Sequence, residues 1–169
     1  RTRYPAHWRR VSGYNLNDLA GVGLRPPRAA GQPLNVARLI VGSEGTFVAG
    51  VEAKMRLIRR PKRTALDVIH YRDVQEAPES SQAILETGPY AVELTDKMIL
   101  DLARNNIEQS KRMGFVQGDP AAILIDEYAG ENDTEVKSKV EALEALRGRD
   151  RFGYASHIAL DSGEQQSIW

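Results

Sequence analysis

The feature of this sequence that most constrains its fold is a regular alternation of strand-like and helix-like segments after residue 63. Short apolar segments, each able to form one buried strand, are separated by longer segments with apolar residues at helical spacing. The strand-like segments are residues 64–71, 90–94, 121–128 and 154–160, and the helix-like segments are residues 73–87, 95–114 and 133–148. Helices with a single apolar face must bury that face on a sheet. The order β-α-β-α-β-α-β therefore predicts a four-stranded sheet covered by helices.

Two architectures satisfy this order. The more economical is an α+β ferredoxin-like sandwich, in which the strands follow a split β-α-β pattern and an extra helix lies between the two halves. In this arrangement the helices cover one side of the sheet. The alternative is a small doubly wound parallel sheet. We expect the ferredoxin-like sandwich.

The ends of the helices follow from residues that cap or interrupt a helix. Pro78 predicts that the first helix either begins near Ala77 or kinks there. Gly114 and Gly148 are expected to end the second and third helices, because glycine readily adopts the left-handed backbone found at helix C-termini. The residues expected to face the core are Val74, Ala77, Ser81, Ile84 and Leu85 in the first helix and Ile99, Leu102, Ala103, Ile107, Ser110 and Met113 in the second.

The first part of the chain shows a different pattern. Residues 1–33 are rich in proline and glycine and predict irregular structure with one short helical turn at residues 16–20. Asn35 is expected to cap a short helix, although a strand is an alternative at residues 38–41. Alternating apolar and charged side chains at residues 51–57 predict a strand with one buried face.

The sequence NVARLIVGSEGT places an apolar segment directly before a loop with two glycines. The loop comprises Gly42, Ser43, Glu44, Gly45 and Thr46, of which the serine and threonine add hydroxyl donors. Glycines allow positive φ angles, and the N–H groups of such a loop can donate to an anion or a polarised carbonyl. No Gly-Lys-Ser/Thr sequence follows, which excludes a nucleotide-hydrolase phosphate loop. From its spacing alone, the loop is either a plain turn or a contact to a cofactor.

Composition excludes several kinds of chemistry. The chain contains no cysteine, so disulfides, thiolate metal sites and iron–sulfur ligation are excluded within it. The formal net charge is zero, which argues against a nucleic-acid surface. No apolar run approaches the length of about 20 residues that a transmembrane helix needs. A basic cluster is interpreted as the solvated end of a strand or, alternatively, as a patch that binds an anion or a partner. It consists of Arg56, Arg59, Arg60, Lys62 and Arg63.

No constellation of catalytic or metal-binding residues is apparent in the sequence. His7, His70 and His157 have no second ligand at metal spacing. Asp126 and Glu127 are neighbours in a predicted strand, so their side chains point to opposite faces and do not form a carboxylate pair. We therefore predict no metal site and no catalytic residue in this chain.

Three motifs occur in order along the first part of the chain. They are RRVSGYNLNDL at residues 9–19, NVARLIVGSEGTF at residues 35–47 and VEAKMRLIRRPK at residues 51–62. Together they resemble the end of the flavin-binding domain in the FAD-linked oxidase family. This is the vanillyl-alcohol-oxidase-like group that includes glycolate oxidase D subunits and D-lactate and D-2-hydroxyglutarate dehydrogenases. The continuation at residues 83–104 and 118–130 is similar to the cap domain of long members that carry a C-terminal iron–sulfur region.

The resemblance implies two parts in this chain. Residues 1–60 would be the C-terminal part of the FAD-binding domain, and residues 61–169 the N-terminal part of the substrate or cap domain. The glycine loop would run beside FAD, with Ser12 nearby. The residues that the resemblance places at the cofactor are Gly13, Tyr14, Gly42, Ser43, Glu44, Gly45, Thr46, Phe47 and Gly50.

The resemblance also implies the activity of a longer protein. That enzyme is expected to oxidise a small 2-hydroxy acid of the D-lactate, glycolate or D-2-hydroxyglutarate class. Hydride would pass to the flavin, and electrons onward to an acceptor or to an iron–sulfur cluster elsewhere in the protein. The start at Arg1 and the capping-box spacing of Ser162 and Gln165 are expected to mark an internal fragment, inactive alone because it lacks the family's pyrophosphate loop. We expect a cytoplasmic protein, with a homo-oligomer as one possible state.

A second hypothesis treats the chain as a non-catalytic α+β interaction or oligomerisation module. In that case an uncovered sheet edge or an apolar helix face would drive self-association. A small-molecule regulatory domain is a third hypothesis, which the sandwich topology alone suggests.

Overall fold

The computed structural model describes residues 13–19, 31 and 35–169. The chain divides into two compact units, Arg1–Leu57 and Ile58–Trp169, here called the N-terminal unit and the C-terminal unit. The irregular structure expected for the rest of residues 1–33 lies outside the described residues. Each unit is considered by itself below.

The described part of the N-terminal unit contains two short helices, α1 (Leu16–Leu19) and α2 (Ala37–Ile40). Helix α1 confirms the predicted helical turn. Ahead of α2, Oδ1 of Asn35 accepts a hydrogen bond from the N–H of Ala37 at 3.1 Å. This contact satisfies a backbone donor at the start of the helix. The short helix is therefore confirmed over the alternative strand.

Residues 51–57 do not form the predicted strand. All of them are exposed, including the apolar side chains of Val51, Met55 and Leu57. A strand needs a neighbour that pairs with its N–H and C=O groups, and a core that covers its apolar face. Within the described residues, no strand pairs with this segment. The prediction was wrong because alternation of side chains supplies neither the pairing strand nor the core.

The C-terminal unit contains one four-stranded sheet. Its strands are β1 (Arg63–Tyr71), β2 (Ala91–Asp96), β3 (Ala122–Gly130) and β4 (Ala155–Ala159). They are arranged in the order β2-β3-β1-β4, and every neighbouring pair is antiparallel. This arrangement confirms the predicted α+β class and excludes the alternative of a parallel sheet.

Helices lie between these strands and after the last one. They are α3 (Glu76–Glu86), α4 (Lys97–Asn105), α5 (Ile107–Ser110), α6 (Asp133–Asp150) and α7 (Ser162–Ile168), with a 3₁₀ turn at Met113–Phe115. Helix α3 places Pro78 in its first turn, where the missing N–H of proline costs no helical hydrogen bond. The start predicted near Ala77 is therefore confirmed.

The helix predicted to run from residue 95 to Gly114 is interrupted at Asn106. This residue has an extended backbone, and its Oδ1 accepts hydrogen bonds from the N–H groups of Glu108 and Gln109. An asparagine side chain that caps a new helix competes with continuation of the old one. The predicted single helix is therefore two helices, α4 and α5, followed by the 3₁₀ turn.

Two other helix ends also differ from the prediction. Gly148 lies inside α6, which instead ends at Arg151 in the left-handed conformation with φ of 57°. Helix α7 is capped by Asp161, whose carboxylate accepts hydrogen bonds from two backbone N–H groups of the first turn. Ser162 is thus the first helical residue, and the predicted capping box with Gln165 does not form.

Helices cover both faces of the sheet, so the prediction that they lie on one side is wrong. The first core lies between the sheet and helices α3 and α6 and contains Ala65, Ile69, Tyr71, Ala77, Ile84, Ala122, Leu124, Tyr128, Val136, Val140, Leu143 and Phe152. The second core lies on the opposite face, where α4, the 3₁₀ turn and α7 pack, and contains Leu66, Val68, Leu100, Ile123, Ile125 and Ala159. The extra segment between β2 and β3 therefore supplies a second cover for the sheet.

The buried faces of α3 and α4 agree only in part with the prediction. In α3, Ile84 is buried as predicted, whereas Leu85 is exposed and Ser80 is buried in its place. In α4, Leu100 is buried and Leu102 is 61% exposed. The predicted stripe assumes one continuous helix, and the interruption between α4 and α5 removes that continuity. Other predicted core residues that are exposed are Val74, Ile99, Ile107 and Ser110.

Candidate functional site

The predicted cofactor loop follows α2 in the N-terminal unit. Its backbone has positive φ angles at Gly42 (89°), Glu44 (51°) and Gly45 (75°). A Cβ added at Gly42 would lie 2.7 Å from the carbonyl oxygen of Gly13, so only glycine fits there without a shift. Glu44 adopts the left-handed region as a non-glycine residue, which is sterically unfavourable. The loop is therefore a tight turn whose shape depends on its glycines.

A second segment of the N-terminal unit packs against this loop. Nδ2 of Asn15 donates a hydrogen bond to the C=O of Val41 at 2.8 Å. The rings of Tyr14 and Phe47 meet edge to face, with their centroids 6.0 Å apart. Together with the close approach of Gly13, these contacts place the residues 13–15 beside the loop. The structure thus brings together two sequence motifs whose contacting residues lie 26 and 32 positions apart along the chain.

The hydroxyl groups of the loop are used within the protein. Oγ1 of Thr46 donates to the C=O of Ser43 at 2.6 Å. Because its own proton is committed, Thr46 accepts the hydrogen bond from the Tyr14 hydroxyl, at 2.7 Å. The Ser43 residue itself is buried. In this structure the Thr46 hydroxyl therefore fastens the loop to Tyr14, and its contact to a cofactor stays a prediction.

The backbone N–H groups are the donors that the loop leaves available. The N–H groups of Ser43 and Thr46 are bonded within the turn. Those of Gly42, Glu44 and Gly45 have no backbone acceptor among the described residues. Consecutive N–H groups in a turn with positive φ angles form a concave donor surface for anions and carbonyl oxygens. The loop therefore fits an acceptor-rich ligand such as FAD, the cofactor expected from the sequence.

Three further predicted residues contribute less to this geometry. Phe47 is half exposed, and its ring contacts the ring of Tyr14. A Cβ added at Gly50 would meet no atom within 4 Å, so packing gives no reason for glycine there. Ser12 lies outside the described residues. The cluster that the structure assembles thus consists of Gly13, Tyr14 and residues 42–47.

The histidines of the C-terminal unit make structural contacts. Nε2 of the buried His70 accepts a hydrogen bond from the N–H of Gln117 at 3.1 Å, and burial lowers the pKa of this imidazole. Nε2 of His157 lies 2.8 Å from a carboxylate oxygen of Glu164. Among the residues that the structure describes, no group of three or more potential ligands is arranged to hold a metal ion. His7 lies outside that part of the chain.

The C-terminal unit contains a carboxyl pair that the sequence reasoning missed. Asp67 on β1 lies directly opposite Asp126 on β3, and both are fully buried. Burial raises the pKa of Asp67 to about 8 and that of Asp126 to about 7. The available signal was one acidic residue in the middle of each of two apolar strands. Both face the first core, so they lie away from any solvent-accessible substrate.

The basic cluster occupies a segment without regular secondary structure and ends at Arg63, the first residue of β1. Nζ of Lys62 lies 2.8 Å from a carboxylate oxygen of Glu131, and Nε of Arg63 lies 2.7 Å from one of Asp133. These cations also border an open groove of about 820 Å³ whose other walls include Tyr90 and Gln165. Solvent-exposed ion pairs of this kind contribute little to stability. Most of the positive charge in this part of the cluster is thus paired with acidic residues.

Comparison with known proteins identifies the C-terminal unit. A family model described as FAD linked oxidases, C-terminal domain, matches residues 60–169. A D-2-hydroxyglutarate dehydrogenase from Pseudomonas putida is 27% identical over 83% of this chain and 14% of its own length. One from Haemophilus influenzae is 30% identical over 64% of this chain and 11% of its own length. The mitochondrial D-lactate dehydrogenase (cytochrome) 1 of Saccharomyces cerevisiae is 24% identical over 85% of this chain and 24% of its own length.

The chain therefore spans at most about a quarter of the length of these relatives. In the part of the chain that the structure describes, no helix has the length and apolar character needed to cross a membrane. The family match covers the whole antiparallel sheet with its two cores, and the relatives extend the similarity into the N-terminal unit. The chain belongs to the FAD-linked oxidase family, and residues 60–169 match its C-terminal domain.

Proposed function

We propose that this chain is part of an FAD-dependent oxidoreductase that oxidises a small D-2-hydroxy acid. Residues 1–60 would form the end of the FAD-binding domain, and residues 61–169 the first part of the substrate or cap domain. The observation that carries the proposal is the family match over residues 60–169, preceded in the chain by a loop with available backbone donors. The relatives are a D-2-hydroxyglutarate dehydrogenase and a D-lactate dehydrogenase, which supports this class of substrate.

The glycine loop would hold the cofactor through its backbone. The N–H groups of Gly42, Glu44 and Gly45 would donate to acceptor atoms of FAD, while the Tyr14 hydroxyl keeps Thr46 and the turn in place. Gly13, Ser43, Phe47 and Gly50 would flank the cofactor without reacting. When bound, FAD supplies the acceptor for the hydride removed from the substrate. The residues of this chain would position that cofactor.

We also propose that the C-terminal unit is a ferredoxin-like half of the cap domain. Three observations support this: the antiparallel order β2-β3-β1-β4, the placement of α3 between β1 and β2, and the placement of α6 between β3 and β4. Both helices pack on the same face of the sheet. The segment from α4 to the 3₁₀ turn is an addition to that pattern.

The test uses the full-length parent protein. Purified protein should show flavin absorption that bleaches on anaerobic addition of D-2-hydroxyglutarate or D-lactate, with the L-enantiomers as controls. Absence of flavin, or flavin that no D-2-hydroxy acid bleaches, would contradict the proposal. A response to only one of the acids identifies the substrate within the class. The electron acceptor, an iron–sulfur cluster elsewhere in the parent and a cytoplasmic location remain parts of this hypothesis.

A companion prediction concerns the 169-residue chain alone. It should take up little or no FAD, because the pyrophosphate-binding glycine loop expected of the family has no counterpart in its sequence. Flavin fluorescence titrated with the chain measures this directly. Tight stoichiometric uptake would mean that residues 42–46 suffice for binding, which contradicts the division of the site between this chain and the rest of the parent.

A second candidate function is self-association without catalysis. Exposed apolar side chains on α4 and α5 favour it, namely Met98, Ile99, Leu102 and Ile107. The edge strand β2 lies next to this surface in the chain and has one unpaired side within the described residues. Light scattering of the chain separates the two candidates, since a monomer at high concentration contradicts self-association.

A further inference from the structure

The carboxyl pair in the first core lies where an ionised side chain is least favourable. Asp67 and Asp126 face each other across the two central strands, under α6, and neither has any exposed surface. Residues directly opposite each other on antiparallel strands have their Cβ atoms about 5 Å apart. Two negative charges at that separation and without water repel strongly. At least one of the two carboxyls is therefore neutral in the folded state.

The hydrogen-bonding partners around the pair lead to the same conclusion. None of the four carboxyl oxygens of Asp67 and Asp126 accepts a hydrogen bond from a donor among the described residues. A buried carboxylate without a donor loses its hydration and gains nothing in return. A protonated carboxyl, in contrast, needs only an acceptor for its own O–H group. Glu144 on α6, whose negative charge helps to raise the pKa of Asp67, is the carboxylate that can supply that acceptor.

Glu144 is held in its ionised form by Arg147, the cation that faces the cluster among the described residues. Nε and Nη2 of Arg147 donate to the two carboxylate oxygens of Glu144, each at 2.7 Å. This bidentate pair lowers the pKa of Glu144 and uses the charge of the guanidinium. Within the part of the chain that the structure describes, Asp67 and Asp126 are therefore left without a cation of their own.

The other titratable groups near the pair do not change this balance. The titratable and charged groups that face the Asp67–Asp126 pair come from four elements. They are Tyr71 on β1, Tyr128 on β3, Glu144 and Arg147 on α6 and, beside Tyr71, Glu76 on α3. Burial raises the pKa of both tyrosines, so they stay neutral, and their hydroxyls bond to Ser80 and Thr87. Full ionisation would set three carboxylates against one guanidinium in the first core.

We propose that Asp67 and Glu144 share one proton beneath α6 and that Asp126 retains a proton of its own, so that loss of these protons at rising pH weakens the packing of α6 on the sheet. The shared proton links Asp67 on β1 to Glu144 on α6. Arg147, also on α6, donates to Glu144 and holds it in place. This arrangement is a pH-sensitive contact within the C-terminal unit. It is independent of flavin binding and of the proposed reaction.

The direction of the pH dependence follows from the raised pKa values. Asp67 and Asp126 have pKa values of about 8 and about 7 in the folded protein, against an ordinary value of 3.8. At pH values between the ordinary pKa of 3.8 and the raised pKa values, the folded state binds more protons than the unfolded state. The free energy of unfolding therefore falls as the pH rises. Each group increases the unfolding equilibrium constant by up to about tenfold per pH unit. Well above the pKa of Asp67, where both groups have lost their protons in the folded state too, the dependence on these two groups ends.

The direct test is a carbon-13 NMR titration of the side-chain carboxyls in the 169-residue chain. The carboxyl carbons of Asp67 and Asp126 should titrate near neutral or mildly alkaline pH, and that of Glu144 in the acid range. The resonances are assigned with the variants Asp67→Asn and Asp126→Asn. Ordinary acid titration of both aspartates would overturn the proposal. Because the titration uses the unmodified chain, it remains decisive even where a variant folds poorly.

The second test compares urea unfolding of matched variants between pH 5 and pH 8. Asparagine imitates a protonated aspartate and cannot ionise. Asp67→Asn should therefore reduce the rise of the unfolding equilibrium constant with pH by a factor of up to about ten per pH unit. Asp67→Asn with Asp126→Asn should flatten it further. Glu141→Gln removes the same charge from an exposed position on α6 and should keep the slope of the original chain. Equal slopes for Asp67→Asn and Glu141→Gln would contradict the proposal.

Discussion

The two units of this chain are stabilised in different ways. In the C-terminal unit, two apolar cores cover both faces of the sheet, and the central strands β1 and β3 are largely buried. In the described part of the N-terminal unit, one buried serine, a few hydrogen bonds and a close glycine contact shape a single loop, while residues 51–57 are exposed. Apolar burial contributes most of the stability of a domain, and each hydrogen bond only about 1 kcal/mol net. The C-terminal unit is therefore expected to fold independently, and the loop to be the more easily deformed region.

The largest expected effect tests the core of the C-terminal unit within one helix. Leu100→Ala should lower the free energy of unfolding by about 2–5 kcal/mol, because it removes a buried side chain and leaves a cavity. Leu102→Ala, two residues later in α4, changes an exposed side chain and should alter it by at most about 0.5 kcal/mol. Urea unfolding monitored by circular dichroism measures both. Equal effects would contradict the assignment of Leu100 to the second core.

A second pair of substitutions sharpens the contrast between a required and a dispensable glycine. A Cβ at Gly153, where φ is 63°, would collide with Cγ2 of Ile69 in the first core, so Gly153→Ala should cost about 2–4 kcal/mol. Gly148 lies inside α6 with open space around it, and Gly148→Ala should stabilise the helix by about 0.5–1 kcal/mol. The signs are opposite, so thermal unfolding distinguishes them. Destabilisation by both variants would show that α6 is not helical at residue 148.

The smallest expected effect lies in the N-terminal unit. Tyr14→Phe removes the hydroxyl that donates to Thr46 and should weaken the closed form of the loop by about 0.5–1.5 kcal/mol. The measurement is hydrogen exchange at the N–H of Thr46, which is bonded to the C=O of Ser43. Its exchange should become faster by about threefold to tenfold. Tyr90→Phe in the C-terminal unit is the control and should leave this exchange unchanged.

Local patterns in the sequence were sufficient to predict the elements of the C-terminal unit. All four strands and the start of α3 near Pro78 depend on residues close together in the chain. Wrong predictions arose where a local pattern needed a distant partner. Residues 51–57 alternate like a strand, but no strand among the described residues pairs with them. Asn106 caps α5, and this one side chain divides the long helix that the apolar stripe predicted.

For the candidate cofactor residues too, some features could be predicted from the sequence and others depended on distant partners. The resemblance predicted that residues 42–47 would lie near Gly13 and Tyr14, and the contacts place them together. The state of the hydroxyl groups could not be predicted, because it depends on which acceptor each side chain meets. Thr46 donates to Ser43 and accepts from Tyr14, whereas the N–H groups of Gly42, Glu44 and Gly45 have no backbone acceptor among the described residues.

The sequence by itself determined the family, the α+β class and the order of the elements, because periodicity, capping residues and motifs are properties of short segments. The tertiary structure decided which faces are covered and which acids meet. Asp67 and Asp126 are 59 positions apart, and only the antiparallel register of β1 and β3 places them opposite each other. Register depends on the packing of the whole sheet, so no local sequence pattern could predict that these two aspartates meet beneath α6.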